Sequence, residues 1–328
     1  MKPVVAITSG DFNGIGPELA LRAVSHSAVR KICSPFLVGP LNVFDHVRST
    51  LRISVKLQKA AALMPQGAVI PVIDVGDGIA ADIEYGKPSK ASGKSAGAAL
   101  ERAVSLCVDG KADAMVTAPI SKEALHLAGY DFPGQTEMIA LLSRSQQVAM
   151  MLVSDVMRVG LVTIHVPLRE VSARITQEKV LEKIGIIHNS LKRDFGIKKP
   201  TLALLGLNPH AGENGSIGGE EIAILQPAVE EARKRDIAIQ GPFSADAFFG
   251  TKLFKKYDGI IAMYHDQGLI PLKMSSFGKG VNFTAGLDII RTSPDHGTAY
   301  EIAGKGTARI DSMLEAIKLA ISISRRRK

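Results

Sequence analysis

The sequence predicts an α/β protein: helices layered on a substantially parallel sheet, arranged in two lobes. Short β-branched runs alternate with helical patterns along nearly the whole chain, the order that βαβ units produce. At 328 residues the chain exceeds what one ordinary core supports, the usual range being roughly 100 to 200 residues per domain. A cleft between the lobes is therefore expected. Hydrophobic residues make up 46% and charged residues 22%, values of a folded, soluble protein and not of a disordered one.

In chain order the predicted strands are Val4 to Thr8, Phe36 to Gly39, Ala114 to Thr117, Val148 to Val153, Val159 to Ile164, Leu202 to Leu205 and Gly259 to Ala262. Between the fifth and sixth, Val180, Ile184, Ile187 and Leu191 recur at helical spacing and mark one buried face, so these four are core residues. Two glycine-rich segments resemble nucleotide motifs without meeting them. Gly86 to Ser95 ends in Gly93-Lys94-Ser95, but a phosphate-binding loop needs glycine where the chain has Pro88. Gly10-Asp11-Phe12-Asn13-Gly14-Ile15-Gly16 follows the first strand, with Pro17 suited to the start of a helix. Its glycine order is not that of a Rossmann fingerprint. A tight strand-to-helix turn and a cofactor loop on another scaffold both remain open for it.

Several function classes are excluded or disfavoured. The N-terminus enters a strand directly and lacks a signal-peptide layout. No uninterrupted apolar run approaches the roughly 20 residues that span a bilayer. Cys33 and Cys107 form no CxxC pair, against a disulfide framework or thiolate zinc site; the expected compartment is the cytoplasm. The net charge is +8, of which Arg325, Arg326, Arg327 and Lys328 supply four, so +8 less 4 leaves +4. That terminal cluster reads as a solvated helix end. With no tryptophan and few aromatics for base stacking, no nucleic-acid partner is expected, whereas a small anionic substrate suits the remaining charge.

Three histidines fall at predicted strand ends or in the loops after them, where α/β proteins place ligands: His165, His210 and His265. Imidazoles from three segments are able to hold a metal with open positions for substrate, and structural or surface roles are the alternative. Lys273, Asn282 and Arg291 form a cationic and polar set beside glycine-rich segments, with the charge and directional donors that phosphate needs. Asn282 sits between Val281 and Phe283 in a strand-like run, where a buried amide requires partners.

The segments Gly14 to Glu18, Thr117 to Lys122, Gly134-Gln135-Thr136-Glu137, Gly206 to Glu213, Met263 to Leu269, Gly278 to Asn282, Ile290 to Ala299 and Ala303 to Gly306 resemble, in order, the signatures of the 4-hydroxythreonine-4-phosphate dehydrogenase family of pyridoxal phosphate biosynthesis. The resemblance covers almost the whole chain. It implies a two-lobed fold like the isocitrate and isopropylmalate dehydrogenases, with the active-site cleft between lobes. The implied divisions are 1–130 with 291–328, and 131–290, the second carrying the dimer interface.

By the same resemblance, His165, His210 and His265 bind one divalent metal (Zn, Mg or Co) in a site shared across a homodimer. Gln135, Thr136, Lys273, Asn282 and Arg291 contact the phosphorylated substrate, and Asp295, His296, Gly297, Thr298 and Ala299 contact NAD or NADP. Asp246 is a candidate for assisting the metal or a proton transfer, or caps a helix. The implied reaction is oxidation of 4-phosphooxy-L-threonine to 2-amino-3-oxo-4-phosphooxybutanoate, which decarboxylates to 3-amino-2-oxopropyl phosphate. Two positions depart from the family pattern: Gln135 and Ser216 stand where histidine is usual. A neutral amide neither becomes cationic nor exchanges a proton near pH 7. Gln135 keeps open a paralogous dehydrogenase of 4-phospho-threonate or 4-phospho-erythronate; a nicotinamide-free transferase or a phosphate-ligand-binding relative is the third reading.

Overall fold

Val5, Ala6 and Ile7 are wholly buried, as are Phe36, Leu37 and Val38 on the neighbouring strand, because a parallel sheet covered on both faces takes continuous apolar runs. The computed structural model describes residues 2–60, 69–76, 82–132 and 134–328. The chain divides into two units, Met1–Gln146 with Leu287–Arg326 and Lys328, and Gln147–Gly286 with Arg327.

In the first unit the strands run Lys56–Lys59, Val69–Ile73, Ser34–Val38, Val4–Thr8, Ala114–Val116 and Arg291–Pro294, each parallel to the next. The strand Lys56–Lys59 is largely exposed and ends in lysine on both sides, a charged edge that discourages pairing with another chain. Its polarity is also why no hydrophobic pattern predicts it. Helix Gly16–Ser25 starts with Pro17 in its first turn, as the sequence suggests. Helix Gln135–Leu142 contacts helix Lys90–Val108 and so belongs to the first unit, whereas a division at 130/131 assigns it to the second.

Helix Lys90–Val108 is opened by a capping box between Ser89 and Ser92, which satisfies two of the amides a helix start leaves unpaired. Gly93-Lys94-Ser95 lies inside this helix, not in a phosphate loop. Gly93 is there for contact: a Cβ on it would stand 1.8 Å from the Ala124 carbonyl oxygen, in helix Lys122–Leu127.

In the second unit the order is Val281–Ala285, Ala149–Val153, Arg158–Leu161, Gly259–Ala262, Thr201–Leu205 and Ala238–Phe243. The first two junctions are antiparallel and the remaining three parallel, so this sheet is mixed. Helix Gln177–Arg193, capped by the Thr176 hydroxyl, buries Val180, Ile184, Ile187 and Leu191 as their spacing predicts. Each such side chain contributes up to about 1.5–3 kcal/mol of transfer free energy. A second apolar cluster joins Phe248, Leu269 and Leu272 to the strands beneath. Among the described residues no helix is long and apolar enough to cross a membrane.

Two glycine-to-alanine substitutions in helix interiors have opposite expected signs. Gly185 in helix Gln177–Arg193 has nothing within 4 Å of an added Cβ, so Gly185→Ala raises stability by about 1 kcal/mol through helix propensity. Gly93→Ala carries the same gain but overpacks the crossing, and a net loss of about 1–3 kcal/mol is expected. Denaturant titration of both variants checks the pair; equal signs contradict the packing assigned to Gly93.

Candidate active site

The parallel strands Arg158–Leu161, Gly259–Ala262 and Thr201–Leu205 are adjacent, and their carboxyl ends therefore share one edge of the sheet. His165 follows the first, His265 the second and His210 the third, the edge where α/β folds place ligands. Ala238–Phe243, next in order, leads to Asp246 on the same edge.

His165 and His265 come together, their ring centroids 5.8 Å apart. Nδ1 of His265 lies 2.7 Å from Asp266 Oδ1; a carboxylate only accepts, so Nδ1 carries the hydrogen and Nε2 is left as the donor to a ligand. Together with Tyr264, Val166, Leu168 and Val171 these side chains line a concavity of about 490 Å³. His210 is exposed and stands within electrostatic reach of Asp246. Among the described residues no group of three or more His, Cys, Asp or Glu side chains is closed enough to hold an ion. The Asp246 carboxyl is held below its usual range first by the Ser244 hydroxyl, then by the Ala247 amide, with His210 adding charge. It occupies the first turn of helix Ala245–Gly250, where Ser244 is the N-cap.

The turn that carries His210 is unusual. His210, Ala211, Gly212, Glu213 and Asn214 all have left-handed backbone, with φ of 52°, 50°, 78°, 42° and 54°. At His210, Ala211 and Glu213 that region costs about 1–2 kcal/mol each, a cost met only where surrounding contacts over-determine the conformation. Ser216 is exposed at the end of this turn. Lys273 is exposed on helix His265–Ser276, and Asn282 is half-buried with an Oδ1 that has no hydrogen-bond partner.

The first unit holds the other predicted residues. Arg291 is fully buried at the start of its strand, and its Nε and Nη2 donate to Thr117 Oγ1 at 3.1 and 3.0 Å. Burial lowers its pKa to about 10, with Glu137 raising it, so the guanidinium stays charged at neutral pH. Gln135 and Thr136 open helix Gln135–Leu142, and Gln135 Oε1 is buried without a partner.

In the predicted cofactor segment, the Asp295 amide donates to Ser312 Oγ, and Ala299 is left-handed. His296 Nδ1 stands 3.2 Å from the Gly297 carbonyl, which makes it the donor and leaves the buried Nε2 an acceptor with no partner. Thr298 packs on the first glycine-rich turn: its carbonyl accepts from the Ile15 amide at 3.0 Å, and a Cβ on Gly14 would stand 2.7 Å from that oxygen. Close approach to the 295–299 segment thus explains a glycine that motif matching does not.

Asp266, Gln267 and Thr117 carry no role that their residue types alone predict, although all three lie in the family-like segments Thr117 to Lys122 and Met263 to Leu269. The adjacency of His265 and Asp266 was the available signal for the first. Thr117 is visible only through the pairing that sets it beside Arg291.

Parallel strands ending in imidazoles are how α/β enzymes present groups to small molecules, and relatives 40–44% identical to this chain are named as dehydrogenases. The family model for "Pyridoxal phosphate biosynthetic protein PdxA" matches residues 31–320, and the chain belongs to that family. It is 44% identical to a 4-hydroxythreonine-4-phosphate dehydrogenase of Trichlorobacter lovleyi over 98% of each chain. It is 42% identical to a D-threonate 4-phosphate dehydrogenase of Cupriavidus necator over 99% of this chain and 98% of that one. The crystal structure of 4-hydroxythreonine-4-phosphate dehydrogenase from Klebsiella pneumoniae superposes with a TM-score of 0.88 at 37% identity, covering 99% of this chain and 98% of that one.

Asp11 supplies a pH-dependent test of the first unit. Its carboxylate, wholly buried, accepts from the Tyr300 hydroxyl at 2.7 Å and from the Asn13 amide at 2.9 Å. Burial raises its pKa above the ordinary 3.8, and these two donors pull it partway back. An acid raised on folding binds its proton more tightly folded than unfolded, so stability falls as pH rises from 3.8 through the folded pKa and is level above it. Tyr300→Phe raises the folded pKa further and deepens that fall. The expected loss is about 1.5–3 kcal/mol at pH 7, narrowing toward pH 4; a pH-independent loss by thermal melting contradicts the pairing.

Proposed function

We propose that the chain oxidises 4-phosphooxy-L-threonine to 2-amino-3-oxo-4-phosphooxybutanoate with NAD or NADP, the product decarboxylating to 3-amino-2-oxopropyl phosphate in pyridoxal 5'-phosphate biosynthesis. The observation that carries this reading is that residues matching the family's ligand contacts hold buried polar atoms with no partner: Gln135 Oε1, Asn282 Oδ1 and His296 Nε2. Such atoms cost about 1–3 kcal/mol each when unmet, which a polar ligand offsets. The names of the relatives in Trichlorobacter lovleyi and Klebsiella pneumoniae support the same substrate.

His165, His210 and His265 are the residues to hold a divalent ion (Zn, Mg or Co). Their donor set fits: three imidazoles on one sheet edge, one of them backed by a carboxylate. When bound, the metal supplies charge that favours loss of the substrate hydroxyl proton, and the nicotinamide supplies the acceptor for hydride. The chain's own work is binding and orientation. Arg291, pre-charged and fixed by Thr117, is suited to an anionic oxygen at fixed geometry. Thr136 and Lys273 add a hydroxyl and a cation for the phosphorylated substrate, and Gln135 and Asn282 add amides. Asp295 to Ala299 form the nicotinamide-cofactor segment, with His296 Nε2 placed to accept from an amide or amino group. Asp246, its carboxyl held ionised by Ser244 and Ala247, is suited to assist the metal by its negative charge. The enzyme acts in the cytoplasm as a homodimer with shared active sites.

A second reading rests on Gln135, which stands where the family pattern has histidine. The same chemistry then acts on 4-phospho-threonate or 4-phospho-erythronate, in keeping with the Cupriavidus necator relative's name. Cofactor reduction measured on these phosphorylated hydroxy acids, with and without added metal, separates the two readings.

Two sets of substitutions test the roles. His165→Ala, His210→Ala and His265→Ala each lower turnover by more than the 10- to 100-fold typical of losing an outer-shell partner, with cofactor affinity less affected and the fold retained. Undiminished turnover of metal-free protein contradicts the assignment. Gln135→His raises kcat/KM on 4-phosphooxy-L-threonine by roughly 5- to 10-fold, about one hydrogen bond, if that is the natural substrate; a loss of activity favours the second reading.

A further inference from the structure

His210 is held in its turn by a residue remote from it in sequence. Glu221 is 1% exposed. Its Oε1 accepts from the Leu207 amide at 2.8 Å and the Asn208 amide at 2.7 Å, and its Oε2 accepts from Asn208 Nδ2 at 2.9 Å. A buried carboxylate only accepts, and bonds to it are the stronger, charge-assisted kind, so three donors in one short segment fix that segment firmly. The segment is the neck of the left-handed turn: the Ala211 amide donates back to the Asn208 carbonyl. The turn itself rests on the carboxylate, since a Cβ on Gly212 would stand 2.7 Å from Glu221 Oε2. Glu221 also begins a five-residue π-helical segment, Glu221–Leu225, a geometry that recurs at functional sites.

A second tie reaches the neighbouring histidine. Gln267 Oε1 accepts from the Met263 amide at 2.7 Å, and its Nε2 donates to the Gly206 carbonyl at 2.6 Å. One amide thus couples the exits of the two strands that lead to His265 and His210.

We propose that Glu221 is the positioning residue of the His210 turn: its carboxylate fixes Leu207 and Asn208, and through them the left-handed run His210 to Asn214, so that the imidazole is presented to an ion in one orientation. The last step rests on the role proposed above for His210. The turn cannot hold this shape by local preference, because left-handed backbone is unfavourable at His210, Ala211 and Glu213.

Glu221→Gln tests this, because it keeps the shape, removes the charge and sets an amide donor against the Asn208 amide donor. Amide hydrogen exchange and Co²⁺ titration of the full chain are the readouts. Expected are exchange at least about 10-fold faster in residues 206–216, unchanged exchange elsewhere in the second unit, and Co²⁺ affinity about 10- to 100-fold weaker. In a His210→Ala background, Glu221→Gln has no further effect on Co²⁺ affinity. Unchanged exchange in the turn overturns the proposal. So does an undiminished Co²⁺ affinity in a protein whose His210→Ala variant binds more weakly, or an equal loss in the His210→Ala background. If His210→Ala binds Co²⁺ as the wild type does, the metal reading fails instead, and exchange alone decides whether Glu221 holds the turn. Should Glu221→Gln not fold, Asn208→Ala carries the same measurements, since it removes one donor and leaves the carboxylate paired to both main-chain amides.

Discussion

Parallel pairing of Arg158–Leu161, Gly259–Ala262, Thr201–Leu205 and Ala238–Phe243 is the constraint on which the chemistry of the second unit depends. Parallel strands all finish on the same edge, so residues 45 to 100 positions apart in sequence leave the sheet side by side. Antiparallel pairing would send alternate histidines to opposite edges. The core beneath, which includes Leu161, Leu205, Phe248 and Ala262, fixes the register from which those ends emerge. 

Buried polarity is the second recurring feature. Arg291, Asp11 and Glu221 are all 1% exposed or less; hydroxyls and amides bond to them, and Glu137 adds an opposite charge near Arg291. Burying a charge is costly even when it is well bonded, and stability alone gives no reason to keep three of them. Each does fix geometry. Arg291 is locked on its strand beside Thr117, Asp11 joins the first glycine-rich turn to Tyr300, and Glu221 supports a backbone that would not otherwise persist.

The fold class was legible because hydrophobic periodicity records burial. All seven predicted strands are present within a few residues, and the helix face of Val180, Ile184, Ile187 and Leu191 is buried. Two of the strands without a prediction have a physical reason to be silent: Lys56–Lys59 is a charged edge, and Arg291–Pro294 is short, polar and buried by its neighbours rather than by its composition. The antiparallel junctions of the second sheet were equally silent, since strand direction depends on connection and pairing, which no local pattern encodes.

The sequence by itself determined the kind of residues available for chemistry and their place at strand ends. It put His165, His210 and His265 after β-type runs, and its ordered motifs identified the family that the near full-length relatives bear out. Tertiary structure decided what those residues meet. It set His265 against His165 and Asp266, left His210 on a left-handed turn supported from Glu221, buried Arg291 on Thr117, and revealed Gly14 as a contact for Thr298. The reason is that strand ends follow from local burial patterns, whereas a partner distant in the chain is chosen by sheet order and register, which only the folded backbone fixes.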